Sequence, residues 1–171
     1  KGRYDLHMAY YNEKMRESIL EEQWVIGKME EALNNNCFET WFQPQYNHNT
    51  GALIGAEALV RWISPERGII SPAVFIPIFE RNGFVFLLDK YIWKQTCLYL
   101  RKWLDEGRNP LPVSVNVSRY DMFRVGFFEV ITGLVEEYGI PKNLFRLEIT
   151  ESAFANSTEQ LVGIVRKLQE F

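Results

Sequence analysis

The sequence predicts an α/β fold, about half of a closed (β/α)8 barrel preceded by a helix, and three observations carry that expectation. Strand-like and helix-like segments alternate from Phe38 to the last residue, and such alternation favours a mostly parallel sheet with right-handed crossovers. About four βα units of ~30 residues fit that span, whereas a closed barrel typically takes ~250 residues. The final segment reads as a helix whose natural successor is another strand, so the barrel is expected to be partial.

Taken in order, residues 12–34 read as a helix, with Met15, Ile19, Ile26, Met29 and Leu33 recurring near the helical period between charged residues. Asn34-Asn35-Asn36 breaks that pattern. "FETWFQPQY" (38–46) and "LIGAEALVRW" (53–62) read as strands joined by the turn "NHNTG". Ser71-Pro72 is a helix start, with serine as the cap and proline in the first turn, and Gly83 is its stop. A longer helix over 85–106 carries Leu88, Ile92, Tyr99 and Trp103 on one side, with Gly107 beyond it. "VSVNVS" (113–118) is a strand, Phe127, Ile131, Leu134 and Tyr138 stripe a helix closed by Gly139, and "LFRLEITES" (144–152) is a strand again. Ser157 and Gln160 have capping-box spacing ahead of Leu161, Ile164 and Leu168.

Bulk composition limits the function classes. With 171 residues, 47% hydrophobic content and a formal charge of −3, the chain has material for a real core. It lacks the basic balance expected of a protein that grips long nucleic acid. Cys37 and Cys97 lie in unrelated contexts and suggest neither a disulfide framework nor a zinc knuckle, so a reducing compartment is expected. No apolar run reaches the roughly 20 residues that span a bilayer, and no membrane contact is expected of this segment. The first residue is Lys1 and not methionine, from which a longer parent molecule is expected.

Charges inside apolar strands point to the chemistry. In "GAEALVRW", Glu57 and Arg61 interrupt a run that otherwise reads as buried strand, and burial of an unpartnered charge costs several kcal/mol. Side-chain parity puts Glu57, Leu59 and Arg61 on one face, opposite Ala56, Ala58 and Val60. The same parity separates Ser114 and Asn116 from Val113, Val115 and Val117, and Arg146, Glu148 and Thr150 from Leu147 and Ile149. If the smooth apolar faces meet helices, then Glu57, Asn116 and Glu148 line the inside of successive strands toward the carboxyl ends, where barrel active sites lie. Two carboxylates and an amide oxygen suit a hard cation such as magnesium, manganese or calcium. A hydrogen-bonded polar plug in the barrel interior reads equally well from parity alone.

The ordered blocks "FQP", "GAEALVRW", "PERGIISPAVFIP", "SVNVS" and "LEITES" resemble the EAL family of bacterial cyclic-di-GMP phosphodiesterases, from about Phe38 to Phe171. The resemblance implies a modified (β/α)8 barrel with an antiparallel first strand, which hydrolyses cyclic di-GMP to linear pGpG with two magnesium or manganese ions. Carried over position by position, it makes Glu57, Asn116 and Glu148 metal ligands, Gln43 and Arg61 substrate contacts, and Glu151 the brace of a mobile loop. The family's paired aspartates, catalytic lysine and late metal-binding glutamate correspond to positions beyond residue 171. The chain by itself is therefore expected to be inactive while the intact domain is an enzyme; the alternative is a degenerate module that binds the dinucleotide or a protein partner. "KGRYDLHMAYYNEKMR" (1–16) faintly resembles the end of a GGDEF domain. That suggests a division into a GGDEF-like tail (1–11), a connecting helix (12–36) and the first part of an EAL domain (37–171). A bacterial cytoplasmic location is implied, and half a barrel with an open edge suggests a possible homodimer.

Simpler roles stand beside these. Gln43 could bond to backbone, Arg61 could pair with Glu57 or Glu66, and Arg146 could form an internal ion pair. Phe75, Pro77, Trp93 and Trp103 read as packing, and His7 and His48 have no metal partner at a sensible spacing.

Overall fold

The computed structural model describes residues 13–149 and 158–171. Helix α1 (Glu13–Asn34) leads into β1 (Phe38–Tyr46), β2 (Leu53–Ser64) and the short β3 (Gly68–Ile70). Then follow α2 (Pro72–Asn82), α3 (Val85–Asp105), β4 (Val113–Val117), α4 (Arg119–Met122) and α5 (Phe127–Glu137). A 3-10 turn (Lys142–Leu144), β5 (Phe145–Ile149) and α6 (Thr158–Glu170) complete the order.

The strands run β1-β2-β4-β5 across one sheet, with β3 paired to β2 as a hairpin. β1 is antiparallel to β2, whereas β2, β4 and β5 are mutually parallel. That is the opening of a barrel with a reversed first strand, as the resemblance implied. Local chemistry explains the corners. Asn47 Oδ1 accepts the backbone N–H groups of Asn49 and Thr50 and so folds the β1–β2 turn. Ser71 Oγ caps α2 through the Ala73 N–H at 3.3 Å, and Gly83 ends it at φ 77°, a left-handed conformation that glycine adopts without steric cost.

The outward faces of the strands carry the core. Val113, Val115 and Val117 are all buried beneath α3 and α5 with Trp93, Leu100, Phe127 and Ile131. A second cluster gathers Phe38, Trp62, Phe75 and Phe79 beneath α1 and α2. There the Trp24 ring stacks on Trp62 at 5.3 Å, and the Arg67 guanidinium lies 4.0 Å from the Trp24 ring centroid. Such aromatic pairs each contribute about 0.5–1.5 kcal/mol beyond the area they bury.

Two details go beyond what the sequence predicts. The α1 stripe docks only through its second half, where Val25 and Ala32 are buried and Trp24, Met29 and Leu33 pack beside them. Met15 and Ile19 precede the stretch of α1 that meets α2, where Glu22 pairs with Arg81 at 2.7 Å, and Ile26 is exposed on the side of the helix away from Val25. The two thiols also differ: Cys97 is fully buried, with burial pushing its pKa up to about 12, whereas Cys37 is half-buried at the α1–β1 corner. The GGDEF-like tail falls in residues 1–12, outside the described residues, as does Ser157 of the expected capping box.

Candidate active site

Cross-strand register builds the site in rows on the inward face. Gln43 on β1 lies opposite Glu57 on β2, and Glu57 lies opposite Ser114 on β4. One step toward the carboxyl ends, Asn116 on β4 pairs with Glu148 on β5, and Trp41 pairs with Leu59. The next row up holds Arg61 opposite Glu39. Glu57, Asn116 and Glu148 therefore come from three adjacent strands and face the same side of the sheet.

Glu57 and Asn116 touch: the Asn116 amide donates to Glu57 Oε1 at 2.8 Å. The backbone at Asn116 is itself pinned, since the buried Trp93 indole N–H donates to its carbonyl oxygen at 3.0 Å. Trp93, expected only to pack, thus also fixes the height of a site residue. Glu148 is exposed and makes no hydrogen bond or ion pair among the described residues, so its carboxylate stays available. This donor set, two carboxylates and an amide with adjacent backbones, fits a divalent hard cation.

Arg61 takes neither of its simpler roles. Glu57 is engaged by Asn116, and Glu66 is held by Lys28 at 2.9 Å and by the Trp24 indole at 3.4 Å. The Arg61 guanidinium instead donates to the Val60 carbonyl at 2.8 Å and lies 5.5 Å from the centroid of the Trp41 ring. Gln43 is exposed beside Glu57, and no backbone bond of its side chain exists among the described residues. Glu151 lies outside the described residues.

A cavity of about 750 Å³ opens at the carboxyl ends of β2 and β4, with Arg61, Asn116, Ser118, Glu80 and Asp89 in its lining. Behind it, Ser118 and Asp121 form a reciprocal cap: Asp121 Oδ2 accepts from the Ser118 N–H at 3.1 Å and from its hydroxyl at 2.5 Å. Asp121 is fully buried, and its other oxygen, Oδ1, has no donor among the described residues. Burial pushes the Asp89 carboxyl well above the usual carboxylate range, reinforced by hydrogen bonding to Asp121 and by the charges of Asp121 and Glu80. Sequence reasoning missed this pair; the S-x-x-D spacing of Ser118 and Asp121 was the available signal for its Asp121 half.

The EAL domain family profile matches residues 26–171. The chain belongs to the EAL domain family. An uncharacterized protein of Mycobacterium tuberculosis is 32% identical over 154 residues, covering 90% of this chain and 50% of that protein. The cyclic di-GMP phosphodiesterase PdeL of Escherichia coli K12 is 36% identical over 120 residues, covering 70% of this chain and 33% of PdeL. Among solved structures, the PaMucR phosphodiesterase in complex with c-di-GMP superposes with a TM-score of 0.81 at 25% identity, covering 86% of this chain and 60% of that one. The chain thus spans half or less of the length of these two curated relatives. No helix among the described residues of this EAL chain is long and apolar enough to cross a membrane.

Proposed function

We propose that this EAL chain forms the first part of a phosphodiesterase site that hydrolyses one ester of cyclic di-GMP to give linear pGpG. The observation that carries the reading is the Glu57–Asn116 contact with Glu148 beside Asn116 in register, three oxygen-bearing groups on the same face of adjacent strands. Glu57, Asn116 and Glu148 would hold Mg²⁺ or Mn²⁺, and a pair of such ions supplies an activated water and neutralises charge on the phosphate. Arg61 serves as the phosphate contact, because a planar fork matches two phosphate oxygens and no carboxylate among the described residues competes for it. Gln43, beside Glu57, contacts the dinucleotide, and Glu151 braces the loop next to the metals. The reaction requires the rest of the barrel, including a general acid and further metal ligands.

The experiment is turnover by the full-length protein with cyclic di-GMP and Mg²⁺ or Mn²⁺, followed by chromatography. Appearance of pGpG supports the reading. Binding without product in either metal overturns it in favour of a receptor, and the absence of both overturns it altogether.

A further inference from the structure

We propose that Trp41 is a positioning residue that keeps the Arg61 guanidinium open to an anionic ligand by engaging Glu39, the acid that would otherwise close on it. The inference rests on the reading of Arg61 as the phosphate contact.

Register makes Glu39 and Arg61 direct cross-strand neighbours of opposite charge, an arrangement that ordinarily gives an ion pair. No such pair forms. The Trp41 indole N–H, one step along the same inward face, donates to Glu39 Oε2 at 2.9 Å, while the Arg61 guanidinium lies 5.5 Å from the Trp41 ring centroid. The guanidinium is held by an aromatic face and by the Val60 carbonyl, neither of which cancels its charge.

Glu57, the inward acid on the strand of Arg61, is engaged in the same manner by the amide of Asn116. Neutral donors thus occupy both carboxylates and leave the cation unspent.

Isothermal titration of the full-length protein with cyclic di-GMP, in chelator so that metal-dependent turnover cannot consume it, tests the assignment. Trp41→Ala is expected to weaken binding about tenfold, the scale of a lost cation–π contact plus a newly competing acid. Adding Glu39→Gln to Trp41→Ala should restore most of that loss, since the neutral amide cannot trap Arg61. In an Arg61→Ala background, Trp41→Ala should change little.

A purely structural Trp41 would lower affinity in all three backgrounds alike, and that result overturns the proposal, as does unchanged binding by Trp41→Ala. A ligand-free readout separates this failure from failure of the functional reading. A crystal structure of Trp41→Ala should place the Glu39 carboxylate within about 4 Å of the Arg61 guanidinium, the range of an ion pair. Persistence of separated groups overturns the proposal whatever the protein binds.

Discussion

Glu57 is the side chain on which the proposed chemistry turns, and its behaviour separates metal binding from folding. Glu57→Gln keeps an acceptor for the Asn116 amide but loses the charge. Turnover is expected to fall at least about 100-fold, above the range for groups that only orient a metal ligand, while the thermal midpoint stays within a few degrees in a scanning unfolding experiment. Asp89 gives a pH signature. Its folded-state pKa is raised by burial first and by Asp121 second, so the native state binds the proton more tightly than the unfolded chain. Stability is then greatest below the ordinary carboxylate pKa and declines as pH rises toward the raised value. Asp89→Asn keeps a donor for Asp121 and has no charge to bury, so the variant should be more stable than the wild type near neutral pH and show a flatter pH profile in denaturant titrations. Alternation alone made Glu57, Asn116 and Glu148 legible as a set, since parity fixes the face of each. The Asp89–Asp121 pair was not legible because its members sit on different helices, and only the tertiary fold brings them together. Arg61 was half legible: its inward direction followed from parity, its lack of an acidic partner did not.

Within the elements, glycine and serine placements decide geometry that the site depends on. Gly55, just before the Glu57 strand segment, lies where an added Cβ would stand 2.8 Å from the Pro112 carbonyl oxygen. That same oxygen accepts the Ala56 N–H at 3.0 Å and starts the β2–β4 ladder. Gly55→Ala must therefore push the two strands apart; a loss of about 1–3 kcal/mol is expected from overpacking, measurable by chemical denaturation, with turnover falling alongside because Glu57 and Asn116 move. Ser71→Ala removes the cap of α2 and should cost about 1 kcal/mol in the same assay, with little effect on activity. Strand and helix bounds were readable to within a residue or two wherever a turn residue marked them, as at Gly83 and Asn47. How far α1 docks was not legible, since periodicity shows that a helix has an apolar side, not how much of its length meets another surface. β3 was missed because three residues are too few to express any period.

At the scale of the whole molecule, the aromatic cluster of Trp24, Trp62, Phe38, Phe75 and Phe79 ties α1 to the carboxyl end of the strand that carries Glu57 and Arg61. Trp24→Ala removes the stack on Trp62 and the face under Arg67; a destabilisation of about 2–4 kcal/mol is expected, seen as a lower unfolding midpoint together with a change in the fluorescence of the newly wetted Trp62. The antiparallel opening strand was legible only through family resemblance, because alternation cannot distinguish a reversed strand from a parallel one; the β1–β2 hairpin supplies the reversal in the structure. The unequal thiols, one sealed on the buried face of α3 and one at the α1–β1 corner, have a practical outcome. A mild alkylating dye should find a single address in the native protein, Cys37, and a spin or fluorescent label installed there without any mutagenesis would ride on the joint between the leading helix and the barrel, reporting its motion as ligand arrives.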